Sequence, residues 1–453
     1  MAAYIANHRE IQTLLIQLQQ RELSHQSTKI SQGIKLNLST GTISIGSSII
    51  RSDPSLTVSL PRLNGTYVEA QVPLQFSTAN AGSREAAGAQ GLQGASVSIG
   101  TEILGGSGKA AKLSLLKSER SLLEAQRGIQ NQALTVEREF YTTIKDLYSS
   151  YASLLSSQSA VYTKELDLQT LRVQGYGAGS TRYRTTQLEV LSAQRTADRQ
   201  QRNLQRELEL FAQKCRLAAG TLSLESLSSA AALVAATGIL DTLPLRPIEE
   251  YTAMESAQWS LATTQMELDA DFPVTLTAEA GYTYQNQSVA AGSQPDTVDA
   301  ALSLQALGGR LTSGIAIPIA GEEHGPTAQL SLSWSPNDMR TQSLQRQQNR
   351  LNLDLARLKI QDAEEDYKEA VENAELTWED LLWSRQVALE EAELYRQLAE
   401  DTISLYNQGM TSETEYRQAL VNRNRAEIQC EVADLELLLH CISTRQLFVQ
   451  EVD

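Results

Sequence analysis

The 453-residue sequence lacks a long hydrophobic run. Its longest near-apolar stretch, residues 230–240, is about half of what a membrane-spanning helix needs. Hydrophobic residues make up 41% of the chain and charged residues 20%, which excludes both intrinsic disorder and a polytopic helical membrane protein. No secretory signal peptide is visible in the polar start MAAYIANHREI. The start therefore predicts either a cytosolic protein or a mature sequence fused to a start codon.

Cysteine and basic charge are also scarce. Cys215, Cys430 and Cys441 are too few for a disulfide framework. The chain has 54 acidic residues against 38 Lys and Arg, a formal net charge of -16. Nucleic acid is therefore not an expected partner, because phosphate binding needs a basic face. The charge is uneven, since residues 359–401 hold 14 acids and 4 bases.

Proline is missing from two very long stretches, residues 107–173 and 338–407. Apolar residues recur in both at steps typical of a packed helix, as in the heptad series of Ala374, Leu381 and Ala388. Each helix would be roughly 100 Å long if continuous, so it must pack on other helices or on other subunits.

Strict alternation of apolar and polar residues predicts β-strands. Every even position of residues 274–284 is apolar or aromatic. Similar alternation covers residues 34–48, 56–60, 67–76, 96–104, 301–306, 311–319 and 328–335. Runs of about ten residues are long enough to cross a bilayer when tilted, but periodicity alone fits a half-buried soluble sheet as well.

The order of these elements occurs twice, which predicts an internal duplication. The turn Tyr176-Gly177-Ala178-Gly179-Ser180-Thr181 aligns with Tyr406-Asn407-Gln408-Gly409-Met410-Thr411 at an offset of 230. The predicted division is a first repeat (1–220), a linker (221–247) and a second repeat (248–453). In the first repeat we expect a short helix, then strands (28–104), a long helix (107–173), a tip (174–182) and a shorter helix (183–219). In the second repeat we expect the same elements, namely a short helix (248–271), strands (273–335), a long helix (338–407), a tip (408–412) and a shorter helix (413–449).

This pattern resembles the TolC-like outer-membrane efflux protein family. The likeness rests on Asp271-Phe272-Pro273 before an alternating strand, on Leu330-Ser331-Leu332-Ser333-Trp334-Ser335-Pro336 before a long helix, and on the two tips. The resemblance implies an α+β fold in which a long antiparallel coiled-coil helical barrel joins a transmembrane β-barrel. It also implies a homotrimer in the outer membrane, with its helices in the periplasm.

The resemblance further implies a function. The chain would be an exit duct of a tripartite efflux or type I secretion system, and not an enzyme. It would passively conduct substrates from a periplasmic adaptor (membrane fusion) protein and an inner-membrane pump of RND or ABC type, while contacting outer-membrane lipid. The alternative is a non-conducting structural coiled-coil or surface protein with β-hairpins.

One feature departs from the family. Its members contribute four strands per protomer, whereas each half of this chain has about four strand-like segments. We assign the outer pairs (34–48 and 96–104; 274–284 and 328–335) to the barrel. The inner pairs (56–60 and 67–76; 301–306 and 311–319) either extend outward as hairpins or enlarge the barrel.

The two tips are the candidate sites. Gly179 and Gly409 are expected to adopt positive φ where one helix reverses into the next. By resemblance, the tips dock the adaptor through Tyr176, Gly179, Ser180, Thr181, Tyr406, Gly409, Met410 and Thr411. The pore constriction would lie at Glu415, Gln418, Arg184 and Thr185. A ring of three Glu415 side chains would favour cations and raise the pKa of at least one carboxylate. A plain helical hairpin and a solvated helix face are the structural alternatives.

No residue pattern points to catalysis, to a cofactor or to a metal. The four histidines, His8, His25, His324 and His440, lack metal-ligand spacing. The stretch Gly105-Gly106-Ser107-Gly108-Lys109 resembles a phosphate loop, but Ala110 stands where the magnesium-binding hydroxyl belongs.

Overall fold

The computed structural model describes residues 2–41, 43–45, 49–77, 94–218, 220, 222, 242–284, 296–306, 308–319 and 325–450. Most of the predicted linker 221–247 and His324 lie outside the described residues. The helices are α1 (Ala2–Asn7), α2 (Arg9–Ser31), α3 (Ser107–Val173), α4 (Thr181–Lys214), α5 (Thr252–Ala270), α6 (Pro336–Asn407) and α7 (Glu413–Gln446), with a 3-10 helix at Ile248–Glu250.

Eleven strands are described. They are β1 (Lys35–Ser39), β2 (Ile43–Ile45), β3 (Ile49–Ser52), β4 (Ser55–Leu60), β5 (Thr66–Gln71), β6 (Leu74–Ser77), β7 (Ala95–Leu104), β8 (Val274–Tyr284), β9 (Thr297–Ala306), β10 (Gly309–Pro318) and β11 (Thr327–Trp334). Eight of them form one antiparallel sheet in the order β1-β4-β5-β7-β8-β9-β10-β11, and β2-β3-β6 form a smaller one. Helices with an antiparallel sheet confirm the α+β class. The sheet is open over the described strands, so the predicted barrel is not closed within one chain.

Local chemistry explains where the longest helix begins. We expected it from residue 338, but α6 begins at Pro336. Proline is tolerated at the first helical position, where its missing N–H would have no partner in any case. The hydroxyl of Ser335 accepts a hydrogen bond from the Asp338 amide (3.4 Å) and caps this end. None of the helices over the described part of the chain has an apolar stretch long enough to cross a membrane.

The chain divides into two compact units. One comprises Met1–Gln17, Gln126–Glu255 and Ala363–Asp453, and the other Leu18–Ala125 and Ser256–Asp362. Each unit draws segments from both halves of the sequence, and the second contains the eight-stranded sheet. The division into two sequence repeats remains a prediction.

The eight-stranded sheet has one apolar and one polar face. The register sets Leu36 opposite Val58, Leu304 opposite Leu311, and Leu311 opposite Leu332, so the apolar residues of neighbouring strands share a face. The intervening residues, such as Thr277 opposite Ser303, form the other face. The same register answers the question of the inner pairs. Residues 56–60, 67–71, 301–306 and 311–318 enlarge the sheet, since β4 and β5 lie between β1 and β7, and β9 and β10 lie between β8 and β11, whereas residues 74–76 belong to β6 of the smaller sheet.

In the helical unit, α7 packs between α3 and α6. On the α3 side, Ser159 Oγ donates to Gln418 Oε1 (2.5 Å), and Lys145 pairs with Glu436 (3.4 Å). On the α6 side, Cys430 Sγ donates to the Ala388 carbonyl (3.2 Å). Helix α4 packs on α3, where Lys164 pairs with Glu189 (3.0 Å). The core contains Val136, Leu147, Phe211, Leu435, Cys441 and Ile442.

A charged pair is buried between α6 and α7. Arg385 Nε donates to Asp434 Oδ1 (2.5 Å), and the Asp434 side chain is only 3% exposed. Loss of Arg385 would leave the buried Asp434 carboxylate without its partner, which costs about 3–5 kcal/mol, whereas the Arg385 side chain is itself 21% exposed. The pair therefore favours one register of α6 against α7.

Candidate docking and gating site at the two helical turns

The first turn joins α3 to α4. Gly175 follows the end of α3 with φ of 83°, and the Tyr176 amide donates back to the Leu171 carbonyl (3.0 Å). This is the usual left-handed helix end, in which glycine avoids a Cβ clash. Ser180 then caps α4 by accepting from the Tyr183 amide (3.5 Å).

The second turn joins α6 to α7 by the same means in fewer residues. Gly409 has φ of 74°, and the Met410 amide donates to the Leu405 carbonyl (2.9 Å). Ser412 caps α7 by accepting from the Glu415 amide (3.2 Å). The capping serine lies three residues after the left-handed glycine in this turn, and five residues after it in the first turn.

The structure corrects one expectation about these turns. Gly409 has positive φ as predicted, but Gly179 does not, and Gly175 takes that role. The alignment of Tyr176 with Tyr406 pointed to the wrong glycine, because Gly175 precedes its tyrosine whereas Gly409 follows its own. The signal that could have found Gly175 is a glycine directly after the last periodic residue of a helix.

Basic and aromatic side chains hold the first turn. Arg172 Nε donates to the Tyr183 hydroxyl (2.9 Å), a contact that the sequence did not suggest. The Arg182 guanidinium lies 5.7 Å from the Tyr176 ring. Arg184 Nε donates to the Ala178 carbonyl (2.7 Å), so this predicted constriction residue braces its own turn. Thr185 donates to the Thr181 carbonyl (3.0 Å) within α4.

An aromatic pair holds the second turn. The rings of Tyr406 and Tyr416 stack with centroids 4.8 Å apart and an interplanar angle of 10°. Tyr416 is a further residue that sequence reasoning missed. Met410, at the apex, is 72% exposed and carries an apolar side chain into solvent. Because its neighbours are fixed by the cap and the stacked rings, Met410 is presented on a rigid support.

Glu415 is bound by its own turn. Its carboxylate accepts hydrogen bonds from the Ser412 amide (2.9 Å), from the Ser412 hydroxyl (3.0 Å) and from the Thr411 hydroxyl. With the Ser412 cap these contacts complete a capping box. The Thr411 hydrogen bond, followed by those of Ser412, lowers the pKa of Glu415 from its ordinary value. In the single chain the pKa of Glu415 is therefore lowered, whereas a ring of three carboxylates was expected to raise it. The ring itself remains a prediction.

The structure brings Glu415 and Gln418 together but not with the residues of the first turn. Both line a groove of about 430 Å³ between α3, α6 and α7. Arg184 and Thr185 are not among its lining residues, which are Thr163, Leu166, Leu398, Thr402, Leu405, Thr411, Thr414, Glu415, Gln418, Ala419 and Asn422. A mixed apolar and hydroxyl-rich groove suits contact with a peptide or a helix better than metal or cofactor binding.

The left-handed glycines allow a test of the turns. Replacing Gly175 or Gly409 by alanine should lower the free energy of unfolding by about 1–2 kcal/mol each, because a Cβ is strained at positive φ. A Cβ added at Gly175 or Gly409 would have no other heavy atom within 4 Å beyond its chain neighbours, so the cost of the substitution is backbone strain alone. Gly179→Ala is the matched control, with a change of at most about 0.5 kcal/mol. Thermal unfolding in detergent measures all three. Equal destabilisation by Gly179→Ala would contradict this assignment of the turns.

Glu415 predicts a pH dependence of the second turn. A lowered pKa in the folded state stabilises the turn above the ordinary value of 4.5, and this stabilisation is lost as the pH falls below 4.5 through the lowered pKa. Hydrogen exchange of the turn amides should therefore show protection that declines on acidification. Glu415→Gln should remove most of that decline, and in a Ser412→Ala background the same change should have less effect. Identical pH profiles for the parent and Glu415→Gln would refute this role.

Solved structures with a similar fold are outer-membrane proteins. The outer-membrane channel OprN matches with a TM-score of 0.50 and 12% identity, covering 98% of this chain and 88% of that chain. The outer membrane protein VceC from Vibrio cholerae has a TM-score of 0.47 and 12% identity, covering 97% and 94%. At such identity the OprN match concerns the fold alone.

Sequence relationships lead to a different group. An uncharacterized protein of Treponema pallidum (strain Nichols) is 23% identical over 233 residues, which is 51% of this chain and 42% of the relative. The chain thus matches less than half the length of that relative. The TP096X N-terminal domain matches residues 1–234, and the TP096X C-terminal domain matches residues 236–451. Since the two domains together account for nearly the whole sequence, the chain belongs to the TP096X family.

Proposed function

We propose that the chain forms an exit duct in the bacterial outer membrane. The observation that carries this proposal is the eight-stranded sheet, whose apolar residues share one face while hydroxyl and small side chains share the other. A sheet of this kind suits lipid on one side and water on the other. The fold similarity to the channel OprN supports the same conclusion.

The sheet needs further copies of the chain to enter a bilayer. Over the described strands, β1 and β11 are edges that pair on one side only. Unpaired N–H and C=O groups cost several kcal/mol each in hydrocarbon. Pairing β11 of one copy with β1 of the next closes a barrel and removes the edges. We propose a homotrimer, as the resemblance to TolC-like proteins implies.

The helical unit offers a second surface for the same assembly. Helix α6 packs on α7 through small residues such as Ala374, Ala388 and Ala399, which are nearly fully buried. A different face of α6 exposes a row of large apolar residues, Leu376, Trp383 and Leu394. The steps of 7 and 11 residues keep this row on one side of the helix. An exposed row of this kind is typical of an interface.

Charge complementarity favours α4 of a second copy as the partner of this row. Helix α4 carries seven Lys and Arg against four acids, whereas residues 359–401 carry 14 acids against four bases. Leu188, Leu191 and Leu210 are exposed on α4, so it also offers apolar contacts. Opposite charges around an apolar strip favour this pairing over contact between two α6 helices.

The two turns are the proposed docking site for a periplasmic adaptor protein. Met410 and Tyr176 are exposed on turns held by caps and ring contacts, so binding them costs little ordering entropy. The chain would then conduct passively what an inner-membrane pump delivers, in a tripartite efflux or type I secretion system. Glu415 and Gln418 would line the constriction, together with Arg184 and Thr185. A non-conducting coiled-coil protein remains the alternative that the first test excludes or supports.

The first test is assembly. The protein should be extracted from the outer membrane only by detergent and should have the mass of three chains by light scattering corrected for detergent. Leu394→Lys places a charge in the exposed row and should shift the protein toward monomers. Gln386→Lys introduces the same residue on another exposed face of α6 and should leave the trimer intact.

Two outcomes oppose the assembly proposal. A monodisperse monomer purified without detergent would refute the duct and favour the structural alternative. A trimer that tolerates Leu394→Lys as well as Gln386→Lys would refute the role of the exposed row.

The second test is docking at the turns. A photo-crosslinking amino acid in place of Met410 should capture a periplasmic adaptor protein in intact cells, because this side chain is 72% exposed at the apex. The same probe in place of Leu188, exposed on α4 within the proposed interface, should instead capture a second copy of the chain. Capture of the chain itself from both positions would refute adaptor docking at this turn.

A further inference from the structure

The number of strands in the sheet determines how wide the duct can be. Strands β1, β7, β8 and β11 adjoin the helices α2, α3, α5 and α6 in the chain. Two further hairpins are inserted into the same sheet, β4–β5 between β1 and β7, and β9–β10 between β8 and β11. Over the described residues each copy therefore contributes eight strands to this sheet, twice the number expected from the resemblance.

The inserted hairpins are integral to the sheet. Their turns lie at the end where the helices begin, since the Asn64 carbonyl accepts from the Glu102 amide (3.1 Å) and the Gly308 carbonyl accepts from the Ser335 amide (3.0 Å). Glu102 and Ser335 stand just before α3 and α6. Strand β9 pairs with β8 over ten positions and with β10 over ten positions. The hairpins thus run along their neighbours and do not project from the sheet.

The β11 edge has the features of a strand that pairs. Strand β11 has no charge and no proline, the features that usually protect an exposed edge. Leu330 and Leu332 on β11 are 74% exposed, against 37% for Leu304 on the same face of an inner strand. The difference is what a missing neighbouring strand produces.

Strand direction also permits closure between copies. All seven pairings in the sheet are antiparallel, so β11 runs opposite to β1. Joining β11 of one copy to β1 of the next therefore continues the antiparallel pattern. Leu36 and Leu38 of β1 and Leu330 and Leu332 of β11 then extend one apolar face.

The polar face is lined largely by small side chains. Ala301 stands opposite Glu279 and Gly314, and Ser98 stands opposite Gly281. Tyr67 on the same face packs against Gly100, where a Cβ would come within 2.5 Å of its ring. Small barrels fill their interior with bulky side chains, whereas this face leaves the space open.

We propose that three copies close a 24-stranded barrel whose water-filled lumen admits polymers up to the size of a small folded polypeptide domain. The inference rests on the proposed trimeric duct. Strands about 4.8 Å apart and tilted about 40° put opposite backbones roughly 50 Å apart. Inward side chains reduce this to roughly 40 Å, which exceeds the roughly 30 Å diameter of a small domain. Four strands per copy would leave a lumen of roughly 15 Å.

Particle images of the detergent-solubilised protein viewed along the barrel axis test the proposal. A ring of roughly 50 Å backbone diameter is expected. A trimeric ring of roughly 25 Å would overturn the wide lumen while leaving the proposed duct intact. Absence of any ring-shaped oligomer would overturn both.

Cross-linking tests which edges meet. Asn37→Cys should form interchain disulfides with a cysteine at Gln329, Ser331 or Ser333 on the same face of β11, giving covalent trimers under mild oxidation. Thr312→Cys on the adjacent strand β10 is the matched control and should give none. The single-cysteine parents report any reaction of the three native cysteines. Equal cross-linking from β10 and β11 would overturn the edge pairing.

Polymer access measures the lumen directly. Ala301→Cys on the polar face should react with polyethylene glycol maleimides of increasing mass, including some too large for a lumen of roughly 15 Å. Leu302→Cys, its neighbour on the apolar face, should be shielded by detergent or lipid. Reaction of Ala301→Cys with only the smallest reagent would overturn the polymer-sized lumen.

Discussion

The main physical constraint on this protein is a sheet that one chain cannot satisfy. Its eight strands share one apolar face, yet among the described strands β1 and β11 each pair on one side only. In water the exposed apolar face is unfavourable, and in lipid the unpaired backbone N–H and C=O groups of the edges are unfavourable. Edge-to-edge joining of copies would supply partners for the backbone groups of the edges, and lipid would then cover the apolar face. The inserted hairpins enlarge the sheet without changing the relative direction of its two edge strands, because they add strands in antiparallel pairs.

In the helical unit, α6 has small buried residues on one face and large exposed residues on another. Helix α7 is apolar enough to pack between α3 and α6, and it meets α6 through buried alanines and the Arg385–Asp434 pair. Alanines permit close approach of the two helices, which leaves the larger residues of α6, including Trp383 and Leu394, on another face. Each of the two units therefore leaves large apolar residues exposed in a single copy of the chain.

The turns show how far local rules reach. Long proline-free stretches and strict alternation predicted the helices and strands, since these periods follow from backbone geometry. The alignment of Tyr176 with Tyr406 selected Gly179, whereas the helix end itself uses Gly175. Glu415 was singled out for a charge ring, yet Thr411 and Ser412 account for its hydrogen bonds within one turn of helix. In both cases the conformation of the residue follows from groups within a few residues of it, and not from the likeness used to select it.

The sequence by itself determined which residues are apolar at period 2 and at helical period, and hence the α+β class and the amphipathic sheet. The helix caps and the left-handed helix ends at Gly175 and Gly409 are also local, because they act on neighbours within a few residues, although the sequence reading chose Gly179 in place of Gly175. Only the tertiary structure decided that the inner strand pairs join the outer ones in one sheet, that Arg385 meets Asp434, and that Glu415 and Gln418 share a groove. These are contacts between residues far apart in the chain, and pairing across such separations depends on the register of whole elements, which no local pattern contains.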